Sequence, residues 1–586
     1  MLNTRDYTLL RKATTKPELA QLLGVSPSFL TNVLYKQRPE NLYHQFSIAK
    51  RAGGKRTISA PTGQLKDLQR RLSDLLLDCK DVIHHSNGVK CKLSHGFERN
   101  QSIISNASIH VGKKNVLNLD LEDFFGSFNF GRVRGFFIKN RDFQLDPAIA
   151  TVIAQIACFD NKLPQGSPCS PTIANLIANS LDIKLAKLAR KSGCSYTRYA
   201  DDITFSTCKK SFSTNLVKSL DNFQVELGGK LLGEIRREGY SVNPTKTRVQ
   251  FKNSRQDATG LVVNKKVNVK SDYWRSIRAM AHNQFKTGTY DITVDEQGNT
   301  RQGNLSELEG RLTFIDHIDK YNNALDKKNT PKAKFVPIKQ GLMEYRSHLN
   351  SREKVYSRFL YYKHFFASEY PTILTEGKTD NVYLKCALSS LHQHYPNLVR
   401  AAHGNTTYKP LLSFPDLNAR TGYFLDLDGG ASHFLRFVQR YISEFDYFEG
   451  HAPKSPVILV LDNDTGPETL LSHLAKNVKS CPDSVDDIRN SGFLPIFKNL
   501  YLILTPLNGS NKSDMEDLFY QDTLDEKIDG KSFSKEKKIN TDAEYGKHVF
   551  STKVIKAKKA SINFDKFKAV FDLIEDVVQH FNTQYP

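Results

Sequence analysis

Runs and alternations of apolar residues divide the chain into segments of different period. Asn115-Val-Leu-Asn-Leu-Asp120 is an apolar strand that runs into an acid, with the aromatic pair Phe124-Phe125 just beyond. Ser195 to Tyr199 and Ile203 to Thr207 are rich in aromatic and β-branched residues, which predicts two strands. Ala200-Asp201-Asp202 then forms the hairpin tip between them. Ile173 to Leu188 has helical spacing, and the Pro- and Gly-containing stretch Leu163 to Thr172 bends the backbone ahead of it. Thr15 to Leu34 predicts two short helices around Gly24, with Ser26 as N-cap and Pro27 at the first helical position. Such a pair suits either a DNA-binding helix-turn-helix or a small packing module, and we favour the module. Lys50 to Pro61 predicts a hairpin turning at Gly53-Gly54, followed by a basic helix with Lys66, Arg70 and Arg71.

Farther on, Asp272 to Ile318 reads as helical, with Trp274, Ile277 and Ala281 on one face and Arg275 with Arg278 on another. The basic, Pro-containing stretch Asp326 to Lys334 is the expected linker, and a helical connector follows through Phe366. The pattern then changes. Short apolar strands end at Glu376-Gly377 and at Asp462-Asn-Asp464, and Leu500 to Leu504 is a third. Strands alternating with helices, with acids at strand C-termini, predict an α/β sheet whose site lies along that edge.

Composition changes the picture through charge. The chain has 586 residues, enough for three or four domains, and a net charge of +21 with 39% hydrophobic residues. That basic excess favours a polyanionic partner, nucleic acid before a membrane surface. No apolar run is long enough to span a bilayer, and the first residues lack a signal peptide's apolar core. The eight cysteines are scattered without metal-ligand spacing, as in a reduced cytosolic protein.

The candidate chemistry lies in the acids. Asp201 and Asp202 are adjacent at a strand junction, where they repel, and a divalent cation offsets that cost. With Asp120 they suit a two-metal phosphoryl-transfer site, whose ions sit about 3.5–4 Å apart. Asp120 with Phe124-Phe125, then Pro164-Gln165-Gly166-Ser167-Pro168, then Tyr199-Ala200-Asp201-Asp202, in that order, resemble reverse transcriptase motifs A, B and C. The resemblance implies that Phe125 is the steric gate against ribonucleotides and that Gln165 and Gly166 border the nucleotide. It also implies that Arg56, in a fingers hairpin, contacts the triphosphate. Gly239 to Arg248 looks like motif D, in which Lys246 donates a proton to the leaving pyrophosphate. Asn106-Ala-Ser-Ile-His110 matches the N-A-x-x-H motif of the retron subgroup, and Ala258-Thr259-Gly260 resembles its V-T-G hallmark with Ala in place of Val. These four residues, Asn106, His110, Thr259 and Gly260, are thereby implied in use of the cognate RNA.

Glu376 with Asp462 and Asp464 resembles the Toprim domain. That likeness implies a Glu in acid–base chemistry and a D-x-D pair on Mg²⁺. Asp426-Leu-Asp428 is the rival pair, and Asp514 with Glu516 is a further acidic cluster, a candidate to complete the site. The whole is similar to a retron reverse transcriptase fused to a Toprim effector. The expected fold is multidomain α+β and α/β, a right-hand polymerase followed by a Rossmann-like domain. The expected divisions are an N-terminal helical module over 1–48, fingers and palm over 49–255, thumb over 256–320, linker and connector over 321–369, and the Toprim domain over 370–586. The resemblance implies Mg²⁺, with Mn²⁺ as alternative, at both sites. It further implies dNTPs, a structured non-coding RNA and a single-stranded DNA branched from it through a 2′,5′ bond. A second nucleic acid, RNA such as tRNA or else DNA, serves the Toprim unit. The setting is the bacterial cytoplasm, with phage defence as the purpose and self-association left open. The rival readings are a mobile-element reverse transcriptase of the group II intron kind, a Toprim unit that only regulates, and a catalytically silent scaffold.

Overall fold

The strand Asn115–Asp120 (β3 below) is buried at every position, which its apolar pattern requires of a central strand. The computed structural model describes residues 3–49, 54–88, 92–221, 224–294, 298–329, 349–401, 408–427, 432–507, 509–536 and 538–585. The chain divides into two compact units, Met1–Tyr273 with Ile318–Asn322, and Trp274–His317 with Asn323–Pro586. No helix among the described residues is long and apolar enough to cross a membrane.

In the first unit, β1 (Tyr43–Ala49) pairs antiparallel with β2 (Lys55–Pro61). The expected division at residue 48 is therefore corrected, because it would cut a continuous hairpin. Gly53 of the expected turn lies outside the described residues, while Gly54 stands at φ 81. Helix α1 (Gly63–Ser86) follows. A four-stranded antiparallel sheet lies beyond it, in the order β4 (Ser195–Tyr199), β5 (Asp202–Thr207), β3 (Asn115–Asp120), β6 (Arg248–Phe251). Helix α2 (Ser170–Ser192) buries Ile173, Ile177, Leu181, Leu185 and Leu188 at helical spacing and ends on Gly193 in the left-handed region. The N-terminal helices Lys16–Leu22 and Pro27–Thr31 bury Leu19, Leu23 and Leu30 in the same core. Ser26 caps the second, its hydroxyl accepting the Phe29 N–H at 3.1 Å. Their apolar faces are spent on packing.

The second unit starts within α3 (Ser271–Thr287), so residues 274–317 of the expected thumb group with the C-terminal part of the chain. Helix α4 (Leu305–Asn329) follows. Residues 330–348 of the expected linker and connector lie outside the described residues; the described end of the connector is a core element, in which α5 (Ser351–Tyr361) continues as a π-helical turn over Tyr362–Phe366. Its rings meet those of Phe437, Tyr441 and Phe448 at centroid distances of 5.1–6.4 Å. Phe285 of α3 joins them, 5.5 Å from Tyr362. The sheet of this unit has the order β7 (Thr372–Thr375), β8 (Val457–Leu461), β10 (Leu500–Leu504), β9 (Phe493–Phe497). The first three are parallel, and β9 is an antiparallel edge that tolerates Pro495. β8 and β10 are buried throughout, as expected of parallel strands covered on both faces.

Candidate active sites

The first site begins with a two-residue turn. Tyr199 pairs with Asp202, leaving Ala200 and Asp201 as the tip, and Ala200 takes a φ of 55°. Antiparallel register places Asp120 directly opposite Asp202. The Leu121 N–H donates to the Asp201 carbonyl at 3.0 Å, and the Asn243 N–H donates to the Asp120 carbonyl at 2.8 Å. The three predicted acids thus converge from two strands and one turn. Lys246, arriving after Asn243, sets its Nζ 2.9 Å from Asp120 Oδ1.

The acids disturb one another. Burial, then the charge of Asp120, raises the Asp201 carboxyl above its usual range, opposed in part by Lys246 and Arg56. Asp202 keeps a solvent-facing side, yet partial desolvation, then Asp201 and Asp120, push it up to about 6. The Asp120 contact raises Lys246, which keeps it protonated. Mutually repelling carboxylates are the donor set a divalent cation relieves, so these residues fit Mg²⁺. No group of three His, Cys, Asp or Glu among the described residues is arranged to hold a metal as it stands, at this site or elsewhere.

A cavity of about 640 Å³ opens beside the acids, and Arg56, Phe125, Gln165, Asp120, Asp201 and Lys246 all line it. The predicted triphosphate contact, steric gate and loop residue therefore share one space. Gly166 fixes how the loop meets the hairpin. It stands at φ 117, where a Cβ would lie 2.9 Å from the Ser59 carbonyl oxygen, and the Ser59 N–H donates to the Gln165 carbonyl at 2.8 Å.

The residues implied in RNA use lie elsewhere. Asn106 is buried and donates to Thr259 Oγ1 at 3.4 Å, beside the left-handed pair Thr259 and Gly260. His110 is fully buried, with Nδ1 2.7 Å from Ser206 Oγ and Nε2 2.8 Å from Thr197 Oγ1. Burial pushes its pKa down to about 3, so the ring is neutral. The two motifs meet, and His110 has no nitrogen left for a ligand. Any bearing on RNA runs through the fold. Sequence reasoning gave no role to Gly96 and Phe97. Phe97, at φ 57, stands 6.5 Å from both the Phe125 and Tyr199 rings. The one signal was the Ser94-His-Gly-Phe97 stretch itself.

The second site is the C-terminal edge of the parallel sheet. Glu376 follows β7, and Asp462 and Asp464 follow β8. Burial, then Asp464 and Asp380, push Glu376 up to about 7. Burial, then Asp380, Glu376 and Glu516, push Asp462 up to about 8. Burial and Glu516 push Asp380 up to about 6. Asp380 and Glu516 thus belong to the same electrostatic cluster, although sequence reasoning assigned Asp380 no part. Glu516 is fully buried, accepts the Tyr383 hydroxyl at 3.3 Å and pairs with Lys547 at 2.8 Å. The Met515 N–H donates to Asp462 Oδ1 at 2.9 Å. Glu376 Oε1 is buried and has no hydrogen-bond partner among the described residues. An orphaned carboxylate oxygen among repelling acids also fits a divalent cation. Asp514, by contrast, is bridged to Asp517 by Lys535. Of the rival pair, Asp426 is buried and paired with Arg440 at 3.2 Å, and Asp428 lies outside the described residues.

Comparison with known proteins bears on the first site. The family described as reverse transcriptase (RNA-dependent DNA polymerase) matches residues 48–263. The retron Mx65 reverse transcriptase of Myxococcus xanthus is 34% identical over 325 residues, 52% of this chain and 68% of that protein. The retron Ec86 reverse transcriptase of Escherichia coli is 35% identical over 283 residues, 47% of this chain and 77% of that protein. A solved telomerase of Candida albicans with a telomeric RNA fragment aligns at a TM-score of 0.30 and 11% identity, covering 54% of this chain and 60% of that one.

Proposed function

The chain belongs to the retron reverse transcriptases, and from that premise we propose a two-part machine. The first part copies a structured non-coding RNA into multicopy single-stranded DNA, beginning from a guanosine 2′-hydroxyl so that DNA branches from RNA through a 2′,5′ bond. The second part, residues 370–586, is a Toprim nuclease that the RNA–DNA product restrains, acting against phage in the bacterial cytoplasm. The observation that carries the first part is the convergence of Asp120, Asp201 and Asp202 beside a cavity lined by Arg56, Phe125 and Gln165.

Asp120, Asp201 and Asp202 would hold Mg²⁺, or Mn²⁺, which stabilises the attacking and leaving oxygens. Arg56 binds the triphosphate of the incoming dNTP. Phe125 closes the space a ribonucleotide 2′-hydroxyl would need. Gln165 and Gly166 seat the loop against the fingers hairpin. Lys246, protonated beside Asp120, gives its proton to the leaving pyrophosphate. Asn106, His110, Thr259 and Gly260 support RNA use by fixing the back of the palm.

The nuclease reading is supported by Glu376, Asp462 and Asp464 at the edge of a mostly parallel sheet, with the first two carboxyls pushed up by burial and then by their neighbours. Glu376 serves acid–base chemistry, and Asp462 with Asp464 would hold the ion. We assign it a structured cellular RNA such as tRNA. The deciding experiment sequences the nucleic acid that co-purifies with the protein, before and after a debranching enzyme. A DNA released from one RNA by debranching is expected; an ordinary 3′,5′ junction refutes retron synthesis. Sequencing total RNA and DNA after induction tests the nuclease, and cleaved DNA with intact RNA would reverse the substrate assignment.

A further inference from the structure

Beneath the Ala200-Asp201 turn runs a chain of buried polar side chains that the proposed chemistry does not use. Arg198 is completely buried. Its Nε and Nη2 donate to the two carboxylate oxygens of Asp182 at 2.7 and 2.8 Å. Its Nη1 donates to the Ala200 carbonyl at 2.9 Å and to Asn175 Oδ1 at 3.2 Å. Asp182 also accepts the Tyr196 hydroxyl at 2.7 Å. Asn175 in turn donates to the Gly96 carbonyl at 2.7 Å. Taking a guanidinium out of water costs several kcal/mol unless its donors are met, and apolar side chains of equal volume would close a core at least as well. The arrangement therefore calls for a purpose other than packing.

The turn supplies one. Ala200 stands at φ 55, a left-handed region disfavoured for a residue with a Cβ. Such strain persists only where the surroundings hold it. Arg198 holds the Ala200 carbonyl. Gly96 backs the amide, since a Cβ there would lie 2.7 Å from Ala200 N and 3.2 Å from the Tyr199 carbonyl carbon. The segment carrying Gly96 is itself fixed to β4, with the His95 N–H donating to the Arg198 carbonyl at 2.8 Å and the Arg198 N–H donating to that of Leu93 at 2.9 Å.

We infer that Arg198 and Gly96 are positioning residues of the polymerase: together they lock the left-handed Ala200 so that Asp201 and Asp202 face Asp120. The inference rests on the reading of those three acids as the polymerase site. Arg198→Lys keeps the charge but loses the planar fork that reaches Asp182 and Ala200 at once. Steady-state DNA synthesis on the co-purified RNA should show a fall in kcat of about 100-fold, because a displacement near 1 Å is enough for that, with the dNTP KM held within about threefold. A second readout needs no metal and no turnover. The Leu121 N–H donates to the Asp201 carbonyl, so its hydrogen exchange should quicken in Arg198→Lys while β3 keeps its protection.

Ala200→Gly distinguishes positioning from core stability. Glycine is at ease at this φ, so in that background Arg198→Lys should cost only about tenfold in kcat. Gly96→Ala should lower kcat likewise, and it decides the matter should Arg198→Lys fail to fold. Wild-type kcat and Leu121 exchange in either variant overturns the inference, as does a loss that Ala200→Gly leaves unchanged. A wild-type protein that makes no DNA would overturn the polymerase reading instead.

Discussion

At Asp462, burial with Asp380, Glu376 and Glu516 around the carboxyl pushes it up to about 8, whereas in an unfolded chain an Asp titrates near 3.9. Folding therefore takes up a proton between those values. The stability this contributes is full below the unfolded value and falls as pH rises toward 8. In EDTA the wild type should lose thermal stability from pH 5 to pH 8. Asp462→Asn, which cannot ionise, should melt higher than wild type at pH 8 by roughly 5 °C and by less at pH 5. Scanning calorimetry at the two pH values checks this, and a variant that melts lower at pH 8 contradicts it. Added Mg²⁺ should stabilise the wild type and not the variant. At the first site, Phe125 lines the cavity and rests 5.5 Å from the Phe124 ring. Phe125→Ala should raise ribonucleotide incorporation relative to deoxyribonucleotide by about tenfold or more. Competition between the two substrates measures it, and an unchanged ratio removes Phe125 from the gate.

Between elements, the contact of the 163–168 loop with the β1–β2 hairpin is set by backbone. Gly166→Ala would bring a Cβ to 2.9 Å from both the Ser59 carbonyl and Ile58 Cγ2, with an unfavourable φ as well. We expect the hairpin to shift and the dNTP KM to rise about tenfold, with overall folding retained. A wild-type KM would mean that the loop does not set the nucleotide's place. The elements themselves were largely legible. Apolar runs at Asn115–Asp120, Val457–Leu461 and Leu500–Leu504 became strands because runs this short suit a buried strand better than a helix. The acids were legible since chemistry confines them to strand ends. What holds them was not. Arg198 and Asp182 are charged residues inside a core, a placement that a hydrophobic pattern reads as surface, and they find each other across 16 residues. His110 was legible as a motif residue but not as a buried one, because two hydroxyls from distant strands make that burial affordable.

On the scale of the whole molecule, each acidic set stands within its own compact unit. Glu376→Gln should abolish toxicity and phage defence and leave DNA synthesis near the wild-type rate. Asp201→Asn should abolish DNA synthesis by about 1,000-fold or more while RNA binding persists. Primer extension paired with a growth assay tests both, and growth arrest by Glu376→Gln would remove the second unit as effector. The boundary between the units was not readable from sequence, because α3 begins in one unit and finishes in the other, and residues 318–322 within α4 group with the first unit. The aromatic spine of Tyr361, Tyr362, Phe365 and Phe366 explains where the join falls. It packs against Phe285, Phe437, Tyr441 and Phe448, and the Phe285 and Phe448 rings also meet each other. A recombination event that grafted residues 370–586 onto another polymerase would sever those rings from their neighbours and bare a sticky hydrocarbon flank on each product. A crossover upstream of Phe285 carries the spine and its ring partners across together. Inheritance of residues 370–586 is thereby tied to α3, so chains that differ in those residues are expected to differ in that helix as well.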